Sequence, residues 1–344
     1  MAKLNTVLPS PAFPFEIDSF VIAANAPTKV RLQLNDQVLF DVEVTPSNGV
    51  YRFRRVAPYL IDPLNANGRE NYGQQLILTA DGQELQRIEL IPCSWALDMP
   101  AADFLSHSFL SFAGIKRTTL ESDELLSAWI SPGETSEVLV SARWYNESAR
   151  KMVRKSHSLA HGPASGYVRR YDVSPRRLIP PTVMDGPWRL LGYRVELGSR
   201  LATYEIEPVD ALVAPPTTLR FINSFGEPDT FHFFGPSERT VKPKYSEARI
   251  HGQLRNYATE VIPERKLKSG PFSPTSRSLF ADLAAALDVT DGNGLPLTIA
   301  ECEMKESNRF ADMLYGTMTV RESDELVRVR AKQIFDSTFD LTYE

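Results

Sequence analysis

Cysteine is nearly missing from this 344-residue chain: only Cys93 and Cys302 occur, far apart in sequence, which excludes a disulfide framework or a cysteine-rich metal site. Histidine is scarce as well, with five in all, of which His157 and His161 have the i, i+4 spacing of a helical zinc pair. Ser158 stands where that pattern needs a catalytic glutamate, and Gly162-Pro163 ends any helix at once, so exposed loop histidines are expected and no metal is assigned. No run of 18 apolar residues occurs, so no membrane-spanning helix is expected. A basic surplus is missing too. The 38 Lys and Arg against 43 Asp and Glu leave a net charge of -5, the wrong balance for a chain that binds nucleic acid by displacing counterions. Met1 to Phe20 carries one lysine and no continuous apolar stretch, so no secretory signal is read there and synthesis in the cytoplasm is expected.

Reactive constellations are equally scarce. Ser165 lies between Gly162 and Gly166 but not in the Gly-x-Ser-x-Gly order of an exposed nucleophile. Asp291-Gly292-Asn293-Gly294 has the start of a calcium loop, yet Leu295 to Ala300 supply no carboxylate, so a tight turn is expected. Glu301 and Glu303 share one face of an expected strand without a second aligned acid pair, which reads as a solvated face. Asn146-Glu147-Ser148 is a glycosylation sequon only for a secreted chain. No catalytic residue, cofactor site or metal ligand is assigned, and the chain is not expected to be an enzyme.

What the chain does contain is a repeat. Val56-Ala57-Pro58 followed by Leu60-Ile61 recurs as Val173-Ser174-Pro175 followed by Leu178-Ile179, and Gly82, Leu85, Glu89 and Pro92 recur as Gly198, Leu201, Glu205 and Pro208. Around these positions, short alternating runs bounded by turn residues predict antiparallel strands with one buried face. Val30, Leu32 and Leu34 alternate with polar residues before Asn35-Asp36, and a second hairpin turns at Asp81-Gly82, a pair suited to positive φ. In the second copy, Val138, Val140 and Ala142 alternate before Trp144, and Trp188 to Ile206 turns at Gly198. The expected fold is mainly β: two tandem duplicated β-sandwich modules, at about 15–98 and 103–212, followed by a β-rich domain at 217–330. One flanking helix is expected in that last domain at about 275–289, where Ser273-Pro274 supplies a cap and Leu279, Leu283 and Leu287 recur every four residues.

The ends read as arms. Pro9, Pro11 and Pro14 predict an extended N-terminal arm over 1–14 that lies on a surface outside any sheet. Over 331–344, Phe335, Phe339 and Tyr343 recur every four residues beside Asp336, Asp340 and Glu344, which would make a short aromatic stripe with an acidic edge. Such a tail would fold back on its own domain or dock on a neighbouring subunit.

The second module carries a basic insertion at 150–177, read as loop-rich: Arg150, Lys151, Arg154, Lys155, Arg169, Arg170, Arg176 and Arg177 against the single acid Asp172. Forked guanidinium donors there can grip carboxylate or phosphate, with Tyr167 and Tyr171 beside them for stacking. Arg169, Arg170, Tyr171, Arg176, Arg177, Phe335 and Phe339 are the candidate partner contacts. An acidic protein surface is the expected partner at the basic loop, with nucleic acid second and unlikely.

Three phrases carry a resemblance: Leu219-Arg220-Phe221-Ile222-Asn223-Ser224-Phe225-Gly226, Gly252-Gln253-Leu254-Arg255-Asn256-Tyr257 and Ile334-Phe335-Asp336-Ser337-Thr338-Phe339-Asp340. With the two β-modules before them, they resemble a family of largely uncharacterised proteins from prophage-like late-gene clusters of gut Bacteroidetes, near tail genes. The resemblance implies a non-enzymatic structural protein of a phage tail, baseplate or related particle. Such a protein would form a homo-oligomer and contact other particle proteins, made in the host cytoplasm and then part of the virion. The alternative is a β-sandwich protein that binds glycan or a cell-surface partner, for which exposed aromatics around Trp129, Trp144 or Trp188 would speak.

Overall fold

The computed structural model describes residues 2–66, 74–112, 114–131, 133–159, 164–165, 168–179, 187–208, 215–250, 253–305 and 313–322. The protein is mainly β. It divides into two compact units, one of Met1–Glu207 with Ile222–Asp229 and one of Pro208–Phe221 with Thr230–Glu344.

In the first module of unit 1, β1 (Lys3–Leu4), β2 (Ser19–Ala23), β3 (Thr28–Leu34), β4 (Gln37–Val44), β5 (Val50–Arg54), helix α1 (Ala57–Ala66), β6 (Gln74–Ala80) and β7 (Gln83–Leu90) follow in order. They form a β1-β2-β5 sheet and a β4-β3-β6-β7 sheet. Phe20 and Ile22 from the first sheet close on Val30, Leu32, Leu34, Leu76, Leu78 and Ile88 from the second, and this sandwich-like core is what the period-two alternation specified. The turn after β6 has Asp81 at φ 48° and Gly82 at φ 79°, the two positive values that a two-residue hairpin needs.

The second module runs through α2 (Ala101–His107), β8 (Ile115–Thr118), β9 (Leu125–Trp129), β10 (Val138–Asn146), β11 (Lys151–Leu159), β12 (Ala164–Ser165), β13 (Val168–Asp172), β14 (Trp188–Leu197) and β15 (Arg200–Ile206). Its sheets are β11-β10-β14-β15-β8 and β12-β13-β9. The order β11-β10-β14-β15 is that of β4-β3-β6-β7, strand for strand, and β9 pairs β13 as β2 pairs β5. The matching goes down to single hydrogen bonds. Val56 N–H donates to Asp18 O at 3.0 Å and Val173 N–H to Glu124 O at 2.9 Å, the acceptors lying just before β2 and β9. Ala12 makes a parallel bridge to Leu90, where β8 makes a parallel ladder with β15 that ends at Thr118 and Ile206.

Two expectations need correcting. The N-terminal stretch is not a surface arm: Lys3 pairs with Ala23, Ala12 and Phe13 are buried, and Ala12 donates to Glu89 O and accepts from Ile91 N–H. The prolines bracket Ala12 and leave its own N–H free for that bridge. The segment 150–177 is not loop-rich. β11 pairs with β10 along all nine of its residues, and its polarity is that of an exposed edge strand. Between the modules, Phe13, Ile91, Cys93, Phe104, Leu105, Leu110, Trp129, Val168 and Phe225 share a further core.

In unit 2, β16 (Thr217–Ile222), β17 (Pro228–Phe233), β18 (Glu238–Ile250), β19 (Gln253–Phe272), helix α3 (Arg277–Ala285), β20 (Val289–Asp291), β21 (Pro296–Lys305) and β22 (Leu314–Glu322) build one sheet in the order β17-β16-β20-β21-β22-β19-β18. α3 buries Leu279, Phe280 and Leu283, with Phe280 among Phe231, Phe233 and Phe272. It ends earlier than expected: Ala286 is already extended, as the chain heads into β20, and Leu287 is 84% exposed. Asp291 to Gly294 form the expected tight turn, with Asp291 Oδ1 accepting from Asn293 and Leu295 N–H.

Candidate partner-contact surface

Most of the basic candidates are already matched by acids of this chain. Arg170 on β13 grips Glu227 with two parallel bonds, Nε to Oε2 at 2.8 Å and Nη2 to Oε1 at 3.0 Å, and Ser127 Oγ donates to the same carboxylate. Arg177 pairs with Asp172 at 2.5 Å and Arg176 with Asp123. Tyr171 is fully buried in the second module's core, its hydroxyl donating to Ser136 O, so it is a packing residue and offers no stacking face. Arg169 has its Nε buried. Phe335 and Phe339 lie outside the described residues, as do His161 and Tyr167. His157 sits on strand β11, not on a helix, so the i, i+4 logic does not apply to it.

Glu227 is placed by a turn that Asn223 organises. Asn223 Oδ1 accepts from Phe225 and Glu227 N–H, its Nδ2 donates to Leu110 O, and Gly226 takes φ 78°. The turn thereby buries Phe225 against Phe13, Phe104 and Phe112 and aims Glu227 at Arg170. Asp229, just beyond, meets Lys116 Nζ at 2.8 Å, as Glu124 does from the other side, with Ser111 and Thr118 hydroxyls donating to the two acids. Burial pulls the Lys116 ammonium toward neutrality, but Asp229 and Glu124 outweigh it and hold its pKa above the usual lysine value. Arg200 is buried too. It donates to Leu105 O and Trp129 O, both at 2.8 Å, and pairs with Glu134, whose carboxyl stays below its usual range although burial opposes that.

Exposed arginines also lie outside the basic segment. On β5, Tyr51 and Phe53 face the first module's core while Arg52 and Arg54 project from the other face, and Arg55 follows at φ 58°. They border a cleft of about 650 Å³ with Val7, Leu8, Pro9, Glu16 and Asp18. Both acids are engaged by backbone amides: Glu16 accepts from Phe13 and Ala101 N–H, and Asp18 from Ala57 N–H. Among the described residues, Arg52, Arg54 and Arg55 make no ion pair. The alternation Val50-Tyr51-Arg52-Phe53-Arg54 was the sequence signal for this face, and it passed unnoticed because only two of its charges lie on one strand.

A second exposed feature belongs to unit 2. β18 and β19 pair from Glu238↔Lys266 to Ile250↔Gln253, but β22 supports β19 only from Glu264 onward. Among the described residues, the distal part is a two-stranded ribbon, with Val241, Tyr245 and Leu254 more than half exposed.

These features define a mainly β chain with two sandwich-like modules and a seven-stranded sheet. No protein-family model matches the chain, and no curated protein matches it. No helix among the described residues is long and apolar enough to cross a membrane.

Proposed function

We propose that this chain is a non-enzymatic structural protein that assembles through protein–protein contacts, in a phage tail, baseplate or related particle. The observation that carries the assembly reading is the ribbon of β18 and β19. A two-stranded ribbon is at best marginally stable in water, and this one displays Val241, Tyr245 and Leu254, which a neighbouring subunit would cover. The identical strand order in the two modules supports duplication of one building part, and homo-oligomers of closed symmetry are the usual outcome for such parts. The particle itself is inferred from the resemblance alone. Glycan binding finds no support in the tryptophans, since Trp129 and Trp144 are buried and Trp188 packs against the core.

The test is to replace Lys244–Glu260 by Asn-Gly, which closes the hairpin beside Pro243 and Val261. Sedimentation and electron microscopy of the purified full chain should show closed oligomers, and the shortened chain should sediment as smaller species with unchanged circular dichroism elsewhere. A chain that stays monomeric at about 100 μM, well above ordinary interface affinities, defeats the reading.

A further inference from the structure

The two smaller sheets share a register. β2 and β5 pair Ser19↔Arg54, Phe20↔Phe53 and Val21↔Arg52, while β9 and β13 pair Leu125↔Asp172, Leu126↔Tyr171 and Ser127↔Arg170. Phe20 and Phe53 face one core, and Leu126 and Tyr171 the other. Arg52 therefore stands where Arg170 stands, on the outer face of its sheet, and Val21 stands where Ser127 does.

The outer faces differ in what covers them. On the second module the turn Asn223–Asp229 lies over the sheet, with Phe225 in one core with Trp129 and Val168 and the Glu227 carboxylate, 1% exposed, held by Arg170 and Ser127. On the first module nothing described takes that place. Val50 is 39% exposed, Arg52 and Arg54 are exposed, and the cleft lies over them. A face that offers guanidinium forks beside apolar side chains is complementary to a carboxylate next to an aromatic ring, which is the composition of the turn already bound by its counterpart.

We propose that the outer face of β2 and β5 is a docking site for an acidic, aromatic-bearing turn of a partner protein, seated as Phe225 and Glu227 are seated on β9 and β13. Arg52 supplies the fork for the carboxylate. Arg54 and Arg55 add positive charge along the cleft and set its preference for an acidic partner. This goes beyond the assembly reading, with which it shares only the premise of protein contacts. It holds or fails whether or not the chain forms closed oligomers.

The probe is a disulfide-cyclised peptide carrying the Ile222–Asp229 sequence, titrated into the full-length protein and followed by fluorescence anisotropy. Binding should weaken about tenfold or more with R52S/R54S, and by a similar factor when the glutamate of the peptide becomes glutamine, since both remove charge-assisted bonds. It should also weaken between about 50 and about 500 mM NaCl, across which the screening length shrinks about threefold. Arg52 and Arg54 are exposed, so the double variant should melt with the wild type, which separates a lost contact from a lost fold. Equal binding by the double variant, no binding at millimolar peptide, or competition by equimolar inorganic phosphate would each overturn the proposal, the last by showing a simple anion site.

Discussion

Replacing Lys116 by methionine should be among the most damaging single changes in unit 1. The Lys116 side chain is 4% exposed and its two partners, Glu124 and Asp229, 0% and 3%, each at 2.8 Å. The bare attraction at such a distance is large, roughly 6 kcal/mol per pair at an effective dielectric of 20, but desolvation has already consumed most of it. What the substitution measures is the cost of two buried carboxylates left without their cation, about 3–5 kcal/mol by the behaviour of broken buried pairs. For a unit of this size that corresponds to a melting shift of roughly 6–20 °C. All four tryptophans, Trp95, Trp129, Trp144 and Trp188, lie within unit 1, so their fluorescence reports its unfolding without interference from unit 2.

The pH dependence gives the sharper check. In the wild type the folded-state pKa of Lys116 is raised, so its contribution is complete below the ordinary lysine value and is lost only as pH rises through the higher folded one. In the methionine variant the orphaned carboxylates are relieved by taking up a proton, so the folded state binds more protons than the unfolded state. Its deficit against wild type should narrow as pH falls from about 7 to about 5. A deficit below about 1 kcal/mol at neutral pH, or one that is the same at both pH values, refutes the picture of a dry, charge-balanced triad.

Other consequences are open to direct measurement. A double-mutant cycle on R170M and E227Q should return a coupling of about 1.5–3 kcal/mol, because the Glu227 carboxylate is buried and bidentate; a coupling near zero would make the pair incidental. G192A should cost about 1–3 kcal/mol in the tryptophan-detected transition, since the new methyl would sit 2.6 Å from the backbone oxygen of Tyr204, which cannot swing aside; an unchanged midpoint would show that β14 and β15 can part.

Strand periodicity made the fold class legible, and it did so because both modules are sandwiches with one wet and one dry face per strand. Val30, Leu32, Leu34 and Leu76, Leu78 alternate in sequence and are buried in the structure. Helix α3 was visible through its Ser-Pro start, but its end was not, because Leu287 continued the pattern while the chain had already turned toward β20. The full length of the ribbon is not legible in the sequence. Pro243, Pro263 and Pro271 argue against long pairing, yet Pro243 lies on the edge strand β18, and Pro271 sits where the β19–β22 register shifts, places where a missing donor costs little.

The basic segment shows why charge counted along a chain misleads. Over 150–177 one acid faces eight bases, but the fold brings Asp123 to Arg176 and Glu227 to Arg170, acids that no window of sequence would include. The strand β5 shows the converse. Arg52 and Arg54 attract no notice beside that cluster, and Glu16 and Asp18 border the same cleft, where they could neutralise them. Instead those acids take up backbone amides, Glu16 from Phe13 and Ala101 and Asp18 from Ala57, so they fix the entry into β2 and leave the arginines unpaired. One register, used twice, has thus produced a closed face where the chain supplies its own acidic turn and an open face where it does not. The open copy is where a partner's carboxylate has most to gain, because the guanidinium that must receive it is already positioned by a sheet whose other side is packed.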